Sequence, residues 1–300
     1  MDDEHNSVGR AIFLALCAFA AFSVSDTARK FVSLKHEISD ILFWQAVVGM
    51  IMILCFLPFL GGVKALINHG NIKLHIVRGV LVALNTFFSL TAISQVPIMD
   101  AYTIFFLTPF VISILGYFLL KEKIGTYRFL SILCGFIGAF IAFKPGFNDI
   151  NPAYIFAFIC VFTFSSSSIL VRLFKVKASA LSFAFWPFLC LIVGLVFYTG
   201  GVIKPISDIH SIMLIVVIGC SYGFALIAMA YSYTMAPAAV ISPYQYVQII
   251  FAILFGYVFF GDVPDGAKIL GAGIIISAGV FLFARERLAK KRDAVVDDMV

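Results

Sequence analysis

Charged residues are scarce in this chain of 300 residues. Asp, Glu, Lys and Arg make up 12% of it, whereas 62% of its residues are hydrophobic and its mean hydropathy is +1.06. Soluble domains are about 25% charged, so the composition excludes an ordinary soluble fold and predicts an integral membrane protein. The net charge of +5 is spread over short connections and the C-terminus, which argues against nucleic acid as a partner.

The sequence also lacks the local motifs of most enzymes. It contains no GxxxxGK[ST] phosphate loop, no HExxH and no GxSxG. Its six cysteines lie in apolar runs without a CxxC pair, and its five histidines are scattered over termini and connections. We therefore expect no catalytic residues, no metal site, no cofactor and no direct use of ATP.

Long apolar runs, separated by proline and glycine, dominate what is present. The N-terminal MDDEHNSVGR is acidic rather than basic, so the first run is expected to be a retained membrane helix and not a signal peptide. A spanning helix needs about 20 apolar residues. That length predicts ten spans, at about 8–30, 40–60, 74–95, 99–120, 126–143, 152–173, 180–199, 211–233, 238–260 and 267–285.

One stretch of the chain occurs twice. Residues 96–125 and 236–265 align without a gap at an offset of 140, and each has a proline entry, an apolar interior and an acidic exit. Four positions coincide: Pro97 with Pro237, Gly116 with Gly256, Tyr117 with Tyr257, and Glu122 with Asp262. The repeat predicts that the chain is two versions of one unit.

The distribution of Lys and Arg predicts how these units lie in the membrane. The N-terminus, the even-numbered connections and the C-terminal tail hold 15 of the 21 basic residues, so both termini are expected to be cytoplasmic. We expect a five-helix repeat at 1–147, a second at 148–287 and a cytoplasmic tail at 288–300. Five spans are an odd number, so the second repeat is inverted, an architecture typical of secondary transporters.

The chain resembles the EamA-like ten-helix branch of the drug/metabolite transporter superfamily. Three stretches carry the resemblance: RGVLVALNTFFSLTAISQVPIMDAYTIFFLTPFVISILGYFLLKEKIG (78–125), GFIGAFIAFKPG (135–146) and ISPYQYVQIIFAILFGYVFFGDVPDGAKILGAGIII (241–276). The resemblance implies a carrier of small organic solutes that is proton-coupled, exchange-driven or facilitative. Within the superfamily the chain is most similar to carriers of cofactor-like or nucleoside-like metabolites or amino acids. Asp262 stands where much of the family has Glu.

The charged candidates are Asp26 and Lys30, near the outer end of the first span. Four residues apart, they share a helical face and can neutralise each other. Asp26 is either part of an interfacial ion pair or a site for a substrate amine or a proton, because an intramembrane carboxylate usually faces a cavity. Arg29 and Lys30 can alternatively reach the headgroups.

Polar residues of the first half give further substrate-binding candidates. Gln45 lies beside Trp44, which is typical of an aromatic belt but is also a candidate. Asn85 lies two turns beyond Arg78 and must find either a structural partner or the substrate. Arg78 itself is expected to anchor topology or to contact a headgroup. Tyr102 precedes Pro109, which can bend its span toward a cavity.

The second half is richer in candidates. Tyr222, Tyr244, Gln245 and Gln248 supply aromatic rings and amides for a polar, planar solute. On an α-helix Tyr244 and Gln248 share one face while Gln245 points about 100° away. The alternative for the tyrosines is the outer aromatic belt, whereas Gln248 falls near the midplane.

The leading hypothesis is a secondary transporter of a small organic metabolite in the cell inner membrane, working by alternating access. A broad-specificity exporter is one alternative, and a non-transporting receptor or assembly protein is another. The expected partners are a small-molecule substrate and the lipid bilayer, with the chain as a monomer or homodimer. Gly219 and Gly223 form a GxxxG pair, which favours close helix contacts within one half, or a dimer face.

Overall fold

The computed structural model describes residues 2–59, 62, 66, 72–121, 125–143, 151–173, 180–263, 265–267, 269–278, 280–281 and 285. All regular structure in this part of the chain is helical, with no strand. Among the described residues, seven segments are long and apolar enough to cross a membrane. The three other predicted spans coincide with shorter apolar helices at 129–138, 244–260 and 269–278. The all-helical membrane fold is therefore confirmed, while the number of ten spans stays a prediction.

The helices follow the apolar runs. In the first half they are α1 (Asp2–Ser33), α2 (Ile38–Phe56), α3 (Ile72–Gln95), α4 (Ile98–Phe105), α5 (Thr108–Leu120) and α6 (Thr126–Phe143). In the second half they are α7 (Tyr154–Leu173), α8 (Ala180–Tyr198), α9 (Ile209–Met235), α10 (Ala238–Ile241), α11 (Gln248–Phe260) and α12 (Ile269–Ala278). Short 3₁₀ segments cover Leu57–Phe59 and Ser242–Val247.

The two repeated stretches are both broken spans. A turn at Phe106 and Leu107 separates α4 from α5, and Pro109 lies in the first turn of α5. Proline has no N–H, so the carbonyl of Phe105, four residues before Pro109, loses its helical donor. In the second copy a 3₁₀ segment containing Pro243 separates α10 from α11. The predicted bend at Pro109 is thus a complete interruption of the helix.

Both broken spans end in the same way. Lys121 follows α5 with φ 54°, and Gly261 follows α11 with φ 67°, both in the left-handed region. These residues are 140 positions apart, the offset of the sequence repeat. Each is a helix cap whose N–H returns to the preceding turn, at Gly116 and Gly256 respectively.

Helices α6 and α12 pack antiparallel. Gly138 lies against the backbone of Gly271. A Cβ added at Gly138 would be 2.8 Å from the carbonyl oxygen of Gly271. At the other end of the pair, Tyr127 of α6 contacts Phe281 and has the guanidinium of Arg285 3.9 Å from its ring centroid. Contacts therefore run in opposite order along the two helices.

Helices α1 and α9 also pack antiparallel. Ser25 Oγ donates to the carbonyl of Ile218 (3.4 Å), and Ser232 Oγ donates to that of Ala11 (2.8 Å). On the neighbouring face of α9, Gly219 lies so close to Val48 of α2 that an added Cβ would be 2.6 Å from the Val48 Cβ. The expectation that this glycine serves contacts within one half is wrong, because its close approach joins the two halves.

Candidate functional site

A small cavity lies between α1, α3, α7 and α9, beside the two broken spans. Its water-accessible volume is about 70 Å³. Its lining is mixed apolar and polar. The polar and charged residues of the lining are Asp26, Arg29, Arg78, Asn85, Ser89, Thr108, Ser167, Ser168, Tyr222, Tyr233, Gln245 and Gln248.

Helical periodicity explains how so many polar groups reach one cavity. The lining residues of α3 are Arg78, Val82, Asn85 and Ser89, spaced by four, three and four positions. That spacing keeps one helical face toward the cavity over about 16 Å of helix. The rest of α3 packs on protein or faces the surroundings.

A buried ion pair forms the charged centre of the cavity. Arg29, 1% exposed, donates from Nη1 to Oδ1 of Asp26 at 2.8 Å. Its Nε donates to Oε1 of Gln45 at 2.8 Å, whereas its Nη2 has no partner among the described residues. Burying a charge is costly unless it is paired and hydrogen-bonded, so each of these two residues depends on the other.

Hydrogen bonds extend this pair to the broken spans. The hydroxyl of Tyr102 in α4 donates to Oδ2 of Asp26 at 2.9 Å, and Gln248 Nε2 donates to the Tyr102 hydroxyl at 3.4 Å. Gln245 Nε2 donates to the carbonyl of Phe105 at 3.3 Å, the carbonyl that Pro109 leaves without a helical donor. The site therefore connects α1 to both repeated stretches.

Tyr222 of α9 completes this end of the cavity. The guanidinium carbon of Arg29 lies 4.3 Å from the Tyr222 ring centroid, a cation–π arrangement. The Tyr222 hydroxyl lies 2.6 Å from Oγ1 of Thr86. Because Thr86 uses its one hydroxyl proton on the carbonyl of Val82 (2.7 Å), Tyr222 is the donor to Thr86.

The predicted pairing of Asp26 with Lys30 is wrong. Arg29, at i+3, is the residue that neutralises Asp26. Lys30 instead donates from Nζ to the carbonyl of Val96 (3.0 Å) and lies 4.9 Å from the Phe260 ring centroid. The two cations occupy adjacent positions on α1 and so point about 100° apart, with Arg29 turned inward.

The predicted shared face of Tyr244 and Gln248 is also wrong. Residues Ser242–Val247 form a 3₁₀ segment, in which positions i and i+3 are eclipsed. Gln245 and Gln248 therefore lie together at the cavity. Tyr244 is partly buried against the apolar core and does not line the cavity.

The candidates of the first half separate into three groups. Asn85 lines the cavity while donating to the carbonyl of Cys160 (3.0 Å) and to Thr163 Oγ1 (3.3 Å), so it is also an interhelical bond. Gln45 and Tyr102 contact the ion pair rather than the cavity. Trp44 lies apart from both and donates from Nε1 to the carbonyl of Lys204 at 3.0 Å.

Two cationic residues of the site were not among the predicted binding residues. The sequence indicates only a headgroup contact for Arg29 and only a topology or headgroup role for Arg78, yet both are at least 95% buried and line the cavity. Arg78 lies seven positions before Asn85, which is two helical turns and the same face. That spacing is the signal that could have identified it. No cluster of three metal-ligating side chains occurs within the described residues.

Comparison with known proteins gives one family. The model of the EamA-like transporter family matches residues 9–144 and 151–285. An S-adenosylmethionine uptake transporter of Rickettsia prowazekii (strain Madrid E) is 26% identical over 292 residues, which cover 96% of this chain and 97% of the relative. A riboflavin transporter of Rhizobium johnstonii is 25% identical over 296 residues, covering 97% and 96%.

A solved crystal structure shows the same fold. It matches with a TM-score of 0.72 and 17% sequence identity, over 92% of this chain and 98% of the other.

Proposed function

The chain belongs to the EamA-like transporter family, and from that premise we propose that it is a secondary transporter of an amino-acid, nucleoside-like or cofactor-like metabolite, working by alternating access. It is a multi-pass inner-membrane protein, and small-metabolite transport is the general activity of its relatives. The observation that carries the proposal is the buried Asp26–Arg29 pair at a cavity to which both halves contribute.

Antiparallel contacts between equivalent segments support two inverted five-helix repeats. Helices α6 and α12 occupy equivalent places in the two repeats and pack antiparallel. The two broken spans also contact each other in antiparallel order, because Tyr102 contacts Gln248 and Phe105 contacts Gln245. Inverted repeats allow one half to rock against the other around a fixed central site.

Contacts between connections support the proposed topology of ten spans with cytoplasmic termini. Lys204, between α8 and α9, pairs with Glu37, between α1 and α2, and its backbone N–H donates to Asp40 at 3.0 Å. His36 lies 3.1 Å from Asp208 across the same two connections. These contacts require the two connections to lie on the same side of the membrane, and in the proposed topology both face outward.

The size of the cavity supports a moving carrier rather than an open pore. Sites for small organic molecules usually enclose about 300–1,000 Å³, whereas this cavity has about 70 Å³. The described conformation is thus contracted, and a metabolite must separate helices to enter. The interruptions at Phe106 and at Ser242–Val247 are the places where the backbone can bend without breaking further helical hydrogen bonds.

The chemistry of the lining supports a planar, polar substrate. Tyr222 offers an aromatic face, Arg29 and Asp26 offer charge, and Gln245 and Gln248 offer amides. The two curated relatives are named for S-adenosylmethionine and for riboflavin, and both of those compounds carry a planar heteroaromatic ring.

Counterflow in proteoliposomes tests the proposal. A thermal-shift screen of nucleosides, cofactors and amino acids on the purified protein selects the solute, with S-adenosylmethionine and riboflavin as the first two. Vesicles loaded with the unlabelled solute should then transiently accumulate the labelled solute, and protein-free vesicles should not. Flux measured in both directions separates import from export. Absence of stabilisation and of counterflow for all three solute classes would contradict the proposal and favour a receptor or assembly role.

A further inference from the structure

Arg78 is a buried cation with no carboxylate partner in the described part of the chain. The residue is 5% exposed. Its Nη1 donates to the backbone carbonyl of Phe183, its guanidinium carbon lies 4.9 Å from the Phe183 ring centroid, and its Nε has no hydrogen-bond partner there. Arg29 differs, because Asp26 neutralises it.

Pro187 explains one of these contacts. It lies inside α8 and has no N–H, so the carbonyl of Phe183, four residues earlier, has no helical donor. Arg78 supplies the missing hydrogen bond. A carbonyl dipole satisfies one donor, so among the described residues the positive charge of the guanidinium has no counter-charge.

The unbalanced positive charge of Arg78 lies at the wall of the cavity. Arg78 lines it, and the charged residues of the lining are two arginines and one aspartate, a formal net charge of +1. Arg78 and Thr86, the partner of Tyr222, are eight residues apart on α3, about 12 Å along the axis. Arg78 therefore lies toward one end of the cavity, and Tyr222 with the neutral Asp26–Arg29 pair lies toward the other.

We propose that Arg78 binds the carboxylate of the transported metabolite, while the rest of that molecule extends toward Tyr222. The inference rests on the proposed function and narrows it to carboxylate-bearing substrates. A planar guanidinium is the side chain best suited to a carboxylate in a dry site, and the Nε of Arg78 has no hydrogen-bond partner among the described residues. Contact with Arg78 compensates a charge that the described protein groups leave unbalanced, so this end of the site discriminates against uncharged analogues.

A purely structural role is the competing explanation. If Arg78 only holds α8 at its proline, replacing it lowers stability without altering the preference between a ligand with a carboxylate and the same ligand without one. The preference for the carboxylate is therefore the informative readout, and it can be measured on the wild-type protein, where no variant has to fold.

Two ligand pairs test the proposal on the full-length protein in detergent. Each pair differs by one carboxylate: S-adenosylmethionine against decarboxylated S-adenosylmethionine, and tryptophan against tryptamine. Dissociation constants follow from the concentration dependence of the melting temperature. For whichever pair binds, we expect the dissociation constant of the carboxylated ligand to be about 10- to 100-fold lower than that of its partner. This is the range for a hydrogen bond to a charged group.

Variants then assign that preference to Arg78. Arg78→Met should bind both members of the pair equally, and Arg78→Lys should keep part of the preference through its charge. Lys73→Met removes an exposed cation from the same helix and should keep the full preference. A preference retained in a folded Arg78→Met protein would overturn the proposal.

The remaining outcomes separate this inference from the proposed function. Equal binding of both members of a pair by the wild-type protein overturns the carboxylate subsite and leaves the transport proposal standing. Binding of no member of either pair overturns the subsite, and counterflow by the other screened solutes then decides the transport proposal independently.

Discussion

Gln245 donates a hydrogen bond to the backbone carbonyl of Phe105, the residue 140 positions before it. The next residues along, Tyr246 and Phe106, are also 140 apart, and their rings meet edge to face at 5.8 Å between centroids. Equivalent positions of the two repeats therefore touch where both spans are broken. The cavity lies beside this crossing, so the interruptions that make the repeats bendable also border the proposed binding site.

Loss of the Asp26 carboxylate should destabilise the protein through Arg29. Asp26→Asn leaves a buried guanidinium without its counter-charge, which costs about 3–5 kcal/mol. Asp26→Asn combined with Arg29→Met should recover most of the melting temperature, because no unpaired charge is then left buried. Thermal unfolding of the wild type and of both variants measures these effects. Equal stability of Asp26→Asn and wild type would contradict the pairing.

The same variant tests proton coupling. If protons drive uptake, Asp26→Asn abolishes the part of uptake that follows a pH gradient. An unchanged pH dependence would indicate exchange or facilitation.

Substrate affinity should depend more on the ring of Tyr222 than on its hydroxyl. Tyr222→Phe keeps the aromatic face under Arg29 and loses only the hydrogen bond to Thr86, which still donates to Val82. Tyr222→Leu removes the cation–π contact, worth about 1 kcal/mol, and should raise KM about 5- to 10-fold. A larger rise in KM for the Phe variant than for the Leu variant would show that the hydroxyl binds the substrate.

The two left-handed caps predict opposite effects of substitution. Lys121 has φ 54°, and a non-glycine residue there costs about 1 kcal/mol. Lys121→Gly should therefore raise the stability, whereas Gly261→Ala at the equivalent position should lower it by a similar amount. Melting temperatures in detergent check both. Stabilisation by Gly261→Ala would contradict the cap geometry.

Gly79 and Gly194 form a matched pair on contacting helices. An added Cβ at Gly79 of α3 would lie 2.7 Å from Cys190 Sγ and 3.0 Å from the Trp186 carbonyl oxygen, whereas one at Gly194 of α8 meets nothing within 4 Å. Gly79→Ala should destabilise by about 1–3 kcal/mol. Gly194→Ala should stabilise by about 0.5–1 kcal/mol. Similar melting temperatures for the two variants would contradict close α3–α8 packing.

Most of the fold follows from the sequence because span length and proline placement are local properties. The helices described for the apolar runs, and a bend near Pro109, needed no knowledge of contacts, whereas the complete break of the helix at Phe106 and Leu107 is seen only in the structure. The geometry of the polar site could not be predicted from local sequence alone. An α-helical period puts Tyr244 on the face of Gln248, and only the 3₁₀ segment at Ser242–Val247 puts Gln245 there instead.

Charge pairing was the other property that sequence alone could not determine. Arg29 and Lys30 are both within reach of Asp26 in a helix. Arg29 is the one that pairs with Asp26, because it also packs on the ring of Tyr222. The spacing to Asn85 places Arg78 on the cavity face of α3, but its bond to the Phe183 carbonyl depends on Pro187, 109 positions after Arg78. Such contacts between distant segments leave no local signature.

Inversion of the two halves is the premise of alternating access, and site-directed labelling tests it most directly. Gly125 and Asp265 are 140 positions apart and both exposed. Gly125→Cys and Asp265→Cys are introduced separately into a variant whose six cysteines are replaced by serine or alanine. A membrane-impermeant maleimide should label Asp265→Cys in intact cells, and Gly125→Cys only after lysis. Labelling of both from the same side would show that the halves insert in the same orientation and would contradict the mechanism.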